Sequence, residues 1–177
     1  NDYHGKIESM KKILFLHTDP NLLKKALVFF DHKKDYDVDI VDNIDKVMTN
    51  VVNGKYDIAI SAYCDQENRP SDAVYSLLEN NIHTIVSTEN LNSATFDKLY
   101  KEPILDTIIE NTSSYFQDIC EIIDRFYFNA TQTILIVDDQ RTKRASMRRI
   151  LQIQNFQIQE TTSGEEAIEL LKSSKIT

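Results

Sequence analysis

Asp138 and Asp139 stand side by side at the end of the apolar run Ile134, Leu135, Ile136, Val137. Adjacent carboxylates are hard oxygen donors, and Mg²⁺ is usually held by one or two such groups together with water and a phosphate. The pair therefore has the chemistry of a divalent-cation site; the plainer alternative is a solvated acidic turn. A short apolar run suits a strand buried on both faces of a parallel sheet, and open α/β sheets place their chemistry outside the carboxyl ends of such strands. The element that must position the two acids is thus a strand ending at Val137.

The residues that follow agree with that placement. Between Arg141 and Gln154, Met147, Ile150 and Leu151 recur at helical spacing among Arg and Lys, which predicts a helix with one face on a sheet. Asn155 breaks the pattern, and Phe156 and Ile158 alternate with Gln157 and Gln159 as a second strand. Thr162, Ser163, Gly164, Glu165 and Glu166 then open a helix carrying Ala167, Ile168, Leu170 and Leu171. This strand, helix, strand, helix order over residues 133–176, with its acidic pair and Ser-Gly-Glu-Glu-Ala helix start, resembles the first half of a response-regulator receiver domain. The resemblance implies an α/β fold, a doubly wound parallel five-stranded sheet of the flavodoxin-like type. It also implies phosphoryl transfer from a histidine kinase or phosphotransfer protein to an aspartate, with Mg²⁺ held at Asp138 and Asp139.

The same pattern occurs upstream. Lys11, Lys12, Ile13, Leu14, Phe15 and Leu16 repeat the apolar strand, and Asp19 and Pro20 offer an N-cap and first-turn proline for a helix holding Leu22, Leu23, Ala26, Leu27 and Phe30. Further strands are predicted at Val38, Ile40 and Val41, at residues 56–62 and at 82–88, with helices at 43–53 and 71–80. Lys101, Glu102 and Pro103 stand where a receiver has its fifth strand and Lys-Pro turn. The offset from Ile13 to Ile134 is a whole domain, so the chain reads as a tandem duplication. Residues 1–10 read as a leader or as a remnant foreign to the protein, 11–130 as a complete domain and 131–177 as the first half of a second.

The two copies differ in chemistry. Aligning Ile13 with Ile134 puts His17 and Thr18 where the second copy has Asp138 and Asp139, and the resemblance places the phosphoacceptor on Ala62, which has no nucleophile. Asp19 and Asp65 are nearby acids, better explained as a helix cap and a loop residue. Thr88 and Lys101 match the family's strand-four hydroxyl and strand-five lysine. Only 13 positions separate them, where a fourth helix and fifth strand usually need about 20, so that side is expected to be abbreviated or remodelled. The first copy reads as a non-phosphorylatable pseudo-receiver. In the second, the Thr18-to-Ala62 offset carried onto Asp139 puts the acceptor aspartate at about position 183, past Thr177, and the central strand is expected to keep an unpaired edge.

From Pro103 to Phe128 there is no Gly and no further Pro, and Leu105, Ile108, Thr112, Tyr115, Ile119, Ile122 and Phe126 recur at spacings of three and four. A single long helix over about 103–128 is predicted. Its apolar stripe, widened by Ile109, Phe116 and Ile123, exceeds what one sheet needs. Tyr115, Ile119, Ile122 and Phe126 are therefore candidate interface residues, against the second copy or in a homodimer through the long helix.

Composition narrows the class. The 177 residues carry a net charge of −8, with 13 Lys and Arg against 22 Asp and Glu in residues 1–130 and 7 against 6 in residues 131–177. An acidic chain repels phosphate backbones, which argues against direct nucleic-acid binding. Cys64 and Cys120 lie far apart and in no motif, as expected of thiols in a reducing compartment. No apolar run reaches membrane-spanning or signal-peptide length, so the expected location is cytoplasmic and off the membrane. The histidines form no metal or catalytic set: His4, His32 and His83 read as solvated, and His17 as a hydrogen-bonded filler at a strand's carboxyl end.

Together these residues describe a signal-transduction module of a two-component phosphorelay, not itself an enzyme. The alternatives are a dimerisation or partner-docking scaffold that takes no phosphate, and the regulatory part of a diguanylate cyclase or another output enzyme. A haloacid-dehalogenase-type phosphatase also opens on a strand followed by aspartates, but it needs an acid two positions after its nucleophile, where Asp138 is followed by Gln140.

Overall fold

The computed structural model describes residues 10–63 and 71–173, so that His4, Cys64 and Asp65 lie outside the described residues. The chain divides into two units between Phe116 and Gln117, ahead of the boundary at 130 that the sequence repeat suggested.

The first unit is built on five parallel strands: β1 (Lys11–Leu16), β2 (Tyr36–Val41), β3 (Ile58–Ala62), β4 (His83–Thr88) and β5 (Asp106–Ile109), in the order β2-β1-β3-β4-β5. The crossovers are α1 (Pro20–Phe30), a 3₁₀ turn (Ile44–Val47) running into α2 (Met48–Val52), α3 (Asp72–Glu79) and α4 (Ser93–Leu99); α5 (Tyr115–Asn129) follows β5. Parallel strands require such crossovers, which cover both faces of the sheet, and this is why β1 and β3 are apolar at successive positions. On one face Leu14, Leu16 and Ala59 pack with Val47, Val51, Tyr56, Leu77 and Ile82. On the other, the Phe15 ring meets those of Phe30 and Phe116. The start of α1 follows from its sequence: the Asp19 carboxylate accepts the Asn21 N–H at 2.8 Å, and Pro20 occupies a first-turn position whose missing N–H leaves no bond unmade.

Past β4 the structure corrects two expectations. The single helix predicted over 103–128 is instead β5, a turn and α5, and the fifth strand expected at Lys101–Pro103 begins only at Asp106, after a seven-residue α4. β5 pairs with β4 from Ile85↔Asp106 to Thr88↔Ile109, and buried Ile108 beside exposed Ile109 shows the period of two of an edge strand. Spacings of three and four also arise from a strand, a turn and a helix in succession. The deciding residues are Asn111, Thr112, Ser113 and Ser114, turn formers that end one element before the next begins. Lys101 consequently lies in a turn ahead of β5, and the residue that leaves the carboxyl end of that strand is Glu110.

The second unit contains the remainder of α5, then β6 (Thr133–Val137), α6 (Arg141–Ile153), β7 (Gln157–Thr161) and α7 (Gly164–Ser173). β6 and β7 pair in parallel from Thr133↔Gln157 to Val137↔Thr161, and among the described residues the other edge of β6 carries no strand. Asn155, at φ 68°, makes the left-handed turn from α6 into β7, a conformation Asn tolerates better than most residues. Its side-chain amide donates to the Phe126 carbonyl at 3.1 Å, and that of Asn129 donates to the Gln154 carbonyl at 2.8 Å. These are carbonyls of the kind that helix ends leave without backbone partners. Side chains cap the start of α7: the Glu166 N–H donates to Ser163 Oγ at 3.2 Å, and the Glu166 carboxylate accepts the Thr162 N–H at 3.2 Å, one residue ahead of Ser163.

Candidate functional site

Two clusters stand at strand carboxyl ends, one in each unit. In the first, β1 delivers His17 and β5 delivers Glu110. The His17 backbone N–H continues the ladder to Val41 O at 3.1 Å, and that of Glu110 continues it to Thr88 O at 2.9 Å, so both residues are placed by the sheet. Their side chains meet, with His17 Nε2 at 3.0 Å from Glu110 Oε1 and both largely shielded from solvent. The Asp19 N–H donates to His17 Nδ1 at 3.0 Å. A backbone amide can only donate, so Nδ1 is the accepting nitrogen and Nε2 carries the proton that goes to Glu110.

Ser87, buried in β4, donates its hydroxyl proton to Glu110 Oε1 at 2.8 Å and lies 2.8 Å from the hydroxyl of Tyr115, which supplies the next proton in the chain. Burial alone would raise the Glu110 carboxyl above its usual range, but the hydrogen bonds from His17 and Ser87 outweigh it and hold the group below that range. Burial pushes the Tyr115 phenol up, keeping it a neutral donor. The order of the groups limits their chemistry. In a hydrolytic triad the imidazole lies between hydroxyl and acid; here the acid lies between hydroxyl and imidazole, so His17 is not placed to take the Ser87 proton. At the end of β3, Ala62 lies opposite Ser87 and supplies no nucleophile.

The other first-unit candidates sit apart from this network. Thr18 is exposed, and Thr88 Oγ1 turns to the Asn90 carbonyl at 3.0 Å. Sequence reasoning missed Ser87 and Glu110 and treated Tyr115 only as an apolar surface. The signal that would have found Glu110 is the turn at 111–114, which makes Asp106–Ile109 a strand and puts Glu110 at its end.

In the second unit Asp138 and Asp139 follow β6 at its carboxyl end. Asp138 is half-buried: its Oδ1 accepts the Gln140 N–H at 2.8 Å, and its backbone carbonyl accepts Arg144 Nη1 at 2.8 Å. Asp139 is exposed. Arg144 and Arg148 also pair with Glu160 of β7, at 3.4 and 2.7 Å. Two carboxylates beside a strand end, one of them oriented by a backbone amide, form an oxygen donor set that suits Mg²⁺ when water and a phosphate complete its octahedron. Among the described residues no cluster of three His, Cys, Asp or Glu gathers around a common point.

Tyr115, Ile119, Ile122 and Phe126, the candidate interface residues, are buried. Cys120, next to Ile119, is buried as well. Among the described residues no helix is long and apolar enough to cross a membrane.

No family model matches the sequence, and no curated protein matches it. Solved structures do. One, a protein described as a two-component system response regulator/GGDEF domain protein, superposes with a TM-score of 0.75 at 20% identity, over 92% of this chain and 66% of its own. A second of the same description gives a TM-score of 0.76 at 20% identity over the same shares. The fold is that of a receiver. The chain spans just under two thirds of the length of these structures. On this fold Glu110 follows the carboxyl end of β5 and His17 that of β1.

Proposed function

We propose that the first unit is a signal-transduction receiver module that works without accepting phosphate. The observation that supports this reading is the closed His17–Glu110–Ser87–Tyr115 network, which fills the carboxyl end of the sheet with satisfied hydrogen bonds while Ala62 supplies no nucleophile. A carboxylate at Glu110 would also repel an incoming phosphoryl group, where a lysine would attract it. In the same reading the second unit is the opening of a phosphate-accepting receiver. Asp138 and Asp139 would hold a Mg²⁺ that neutralises charge on the transferring group; the donor would be a histidine kinase or phosphotransfer protein, and the place of action the cytoplasm. The chain itself would catalyse nothing, and would regulate an output such as the GGDEF domain carried by the matched proteins or another enzyme. A scaffold reading, in which the first unit docks partners or a second copy, is compatible with the same closed network.

The test is to incubate the full chain with acetyl phosphate and Mg²⁺ and to map adducts by intact and peptide mass spectrometry. Residues 10–116 should gain no phosphoryl group. An acid-labile gain on any of them, or on Asp138 or Asp139 themselves, would overturn the assignment.

A further inference from the structure

We propose that His17 is a proton-operated latch on the turn between β1 and α1: uptake of a proton at Nδ1 releases the Asp19 amide while Nε2 keeps its hold on Glu110. This is a regulatory device independent of phosphoryl chemistry, so it stands or falls apart from the function proposed above.

The buried His17 ring has one donor and one acceptor, and both are engaged. In the neutral form Nε2–H donates to Glu110 Oε1 and Nδ1 accepts from the Asp19 N–H, each at 3.0 Å. An imidazolium has two donors and no acceptor. A proton on Nδ1 would therefore face the Asp19 amide hydrogen across that same 3.0 Å, and one partner must move. The Nε2 side has no reason to yield, because a carboxylate accepts more strongly from a charged ring than from a neutral one. The turn is the part able to give way: Thr18, Asp19 and Pro20 are all exposed, whereas the His17 ring is buried. Movement there would reach α1, since the Asp19 carboxylate caps the Asn21 N–H and the Asp19 carbonyl accepts the Leu23 N–H at 3.0 Å.

Two acids stand near the ring. Glu110 faces the ring from the end of β5, and Asp19 lies on its own turn close enough to act on Glu110 as well. Tyr115 of α5 is reached through Ser87 and stays neutral. β2 presents the Val41 carbonyl to the His17 N–H, and the acid that follows it, Asp42, pairs with Lys46. β3 brings Ser61 and Ala62 to this level, neither of which titrates, and the Phe15 ring stacks on His17 at 6.5 Å. Removing a proton therefore closes the turn, and adding one opens it.

The experiment is NMR on the full chain between pH 8 and 5.5. Ring nitrogen shifts identify the tautomer, and amide exchange is divided by the intrinsic rate at each pH. At pH 8 the ring should be the Nε2–H tautomer. On acidification, amides of residues 19–23 should lose about tenfold in protection while those of residues 110–116 keep theirs. His17→Asn retains an acceptor near the Nδ1 position and does not titrate, so its turn should stay protected throughout. Glu110→Gln removes the carboxylate that favours the charged ring, so its turn should open only at lower pH than in the unaltered chain. An Nδ1–H tautomer at pH 8, or protection of residues 19–23 that does not change with pH, would overturn the proposal. So would an equal loss of protection in His17→Asn; if that variant does not fold, the ring spectra and the Glu110→Gln comparison decide.

Discussion

β1 and β6 are the same kind of strand in two different settings. Each is a short aliphatic run with a parallel partner on one side, β2 for β1 and β7 for β6. β1 has a second partner, β3, and Ile13, Leu14 and Phe15 are 0% exposed; the other edge of β6 has none among the described residues, and Val137 remains 46% exposed. Burial is therefore supplied by neighbours, and an apolar pattern states only a capacity for it. The residues at the two strand ends follow suit. His17 is enclosed in a network that leaves neither ring nitrogen free, whereas Asp138 and Asp139 sit at an open end where a hydrated ion can approach.

The largest difference between the strands should appear in core truncation. Phe15→Ala removes a ring packed on Phe30 and Phe116 and should cost about 3–5 kcal/mol, whereas Ile134→Ala in half-covered β6 should cost roughly 1 kcal/mol. Urea unfolding of the full chain followed by circular dichroism measures both, and equal losses would erase the distinction between the strands. Next in size is Ser87→Ala. It strands one donor and leaves Glu110 with one bond fewer, which should cost about 1–3 kcal/mol; Ser163→Ala, which removes only the cap of α7, should cost about 1 kcal/mol. The same unfolding experiment ranks the two.

A smaller effect concerns acid. The Glu110 carboxyl is held below its ordinary value of 4.5, so its contribution is fully present above that value and is lost as the pH falls through the lowered one. Urea midpoints taken at pH 7, 5, 4 and 3 should therefore fall below about pH 4.5, and less steeply in Glu110→Gln. Matching profiles would show that the network does not carry the acid sensitivity. The smallest effect should be that of Mg²⁺. Titration should move the amide resonances of Asp138 and Asp139 and leave those of His17 and Thr18 in place, and Asp138→Asn should abolish the response. Resonances that move equally in both units would remove the chemical difference between the two strand ends.

How far these features could be read from residue types depends on how local their causes are. β1 to β4, β6, β7 and the helix starts at Asp19-Pro20 and Ser163-Gly164 are set by residues close together in the sequence, and the structure places them where the pattern put them. The α1-to-β2 and α6-to-β7 connections were equally visible. Glu110 was hidden because apolar spacings of three and four fit both a long helix and a strand followed by a helix; the turn formers at 111–114 are the local clue, and pairing with β4 is the non-local fact that fixes the strand. Ser87 was missed for a different reason. Neighbouring residues on a strand face opposite sides of the sheet, so the choice between Ser87 and Thr88 as the hydroxyl of the site depends on register. Thr88 bonds within its own turn to Asn90, and Ser87 joins Glu110.

The two asparagine amides of the second unit join residues 25 and 29 positions apart, whereas the His17–Glu110 bond joins residues 93 apart. Closing a longer loop costs more chain entropy before its contacts can compensate, and topologies rich in local contacts fold faster. The bracket from the end of α5 to the start of β7 can assemble early in the collapse of the chain, while the meeting of β1 and β5 must wait until the strands between them are in place. Stopped-flow folding should show Asn155→Ala slowing the refolding rate and Glu110→Ala mainly accelerating unfolding. On that outcome the reciprocal asparagine clasp belongs to the folding nucleus, and the His17–Glu110 end of the first unit is among the last parts of the molecule to become native.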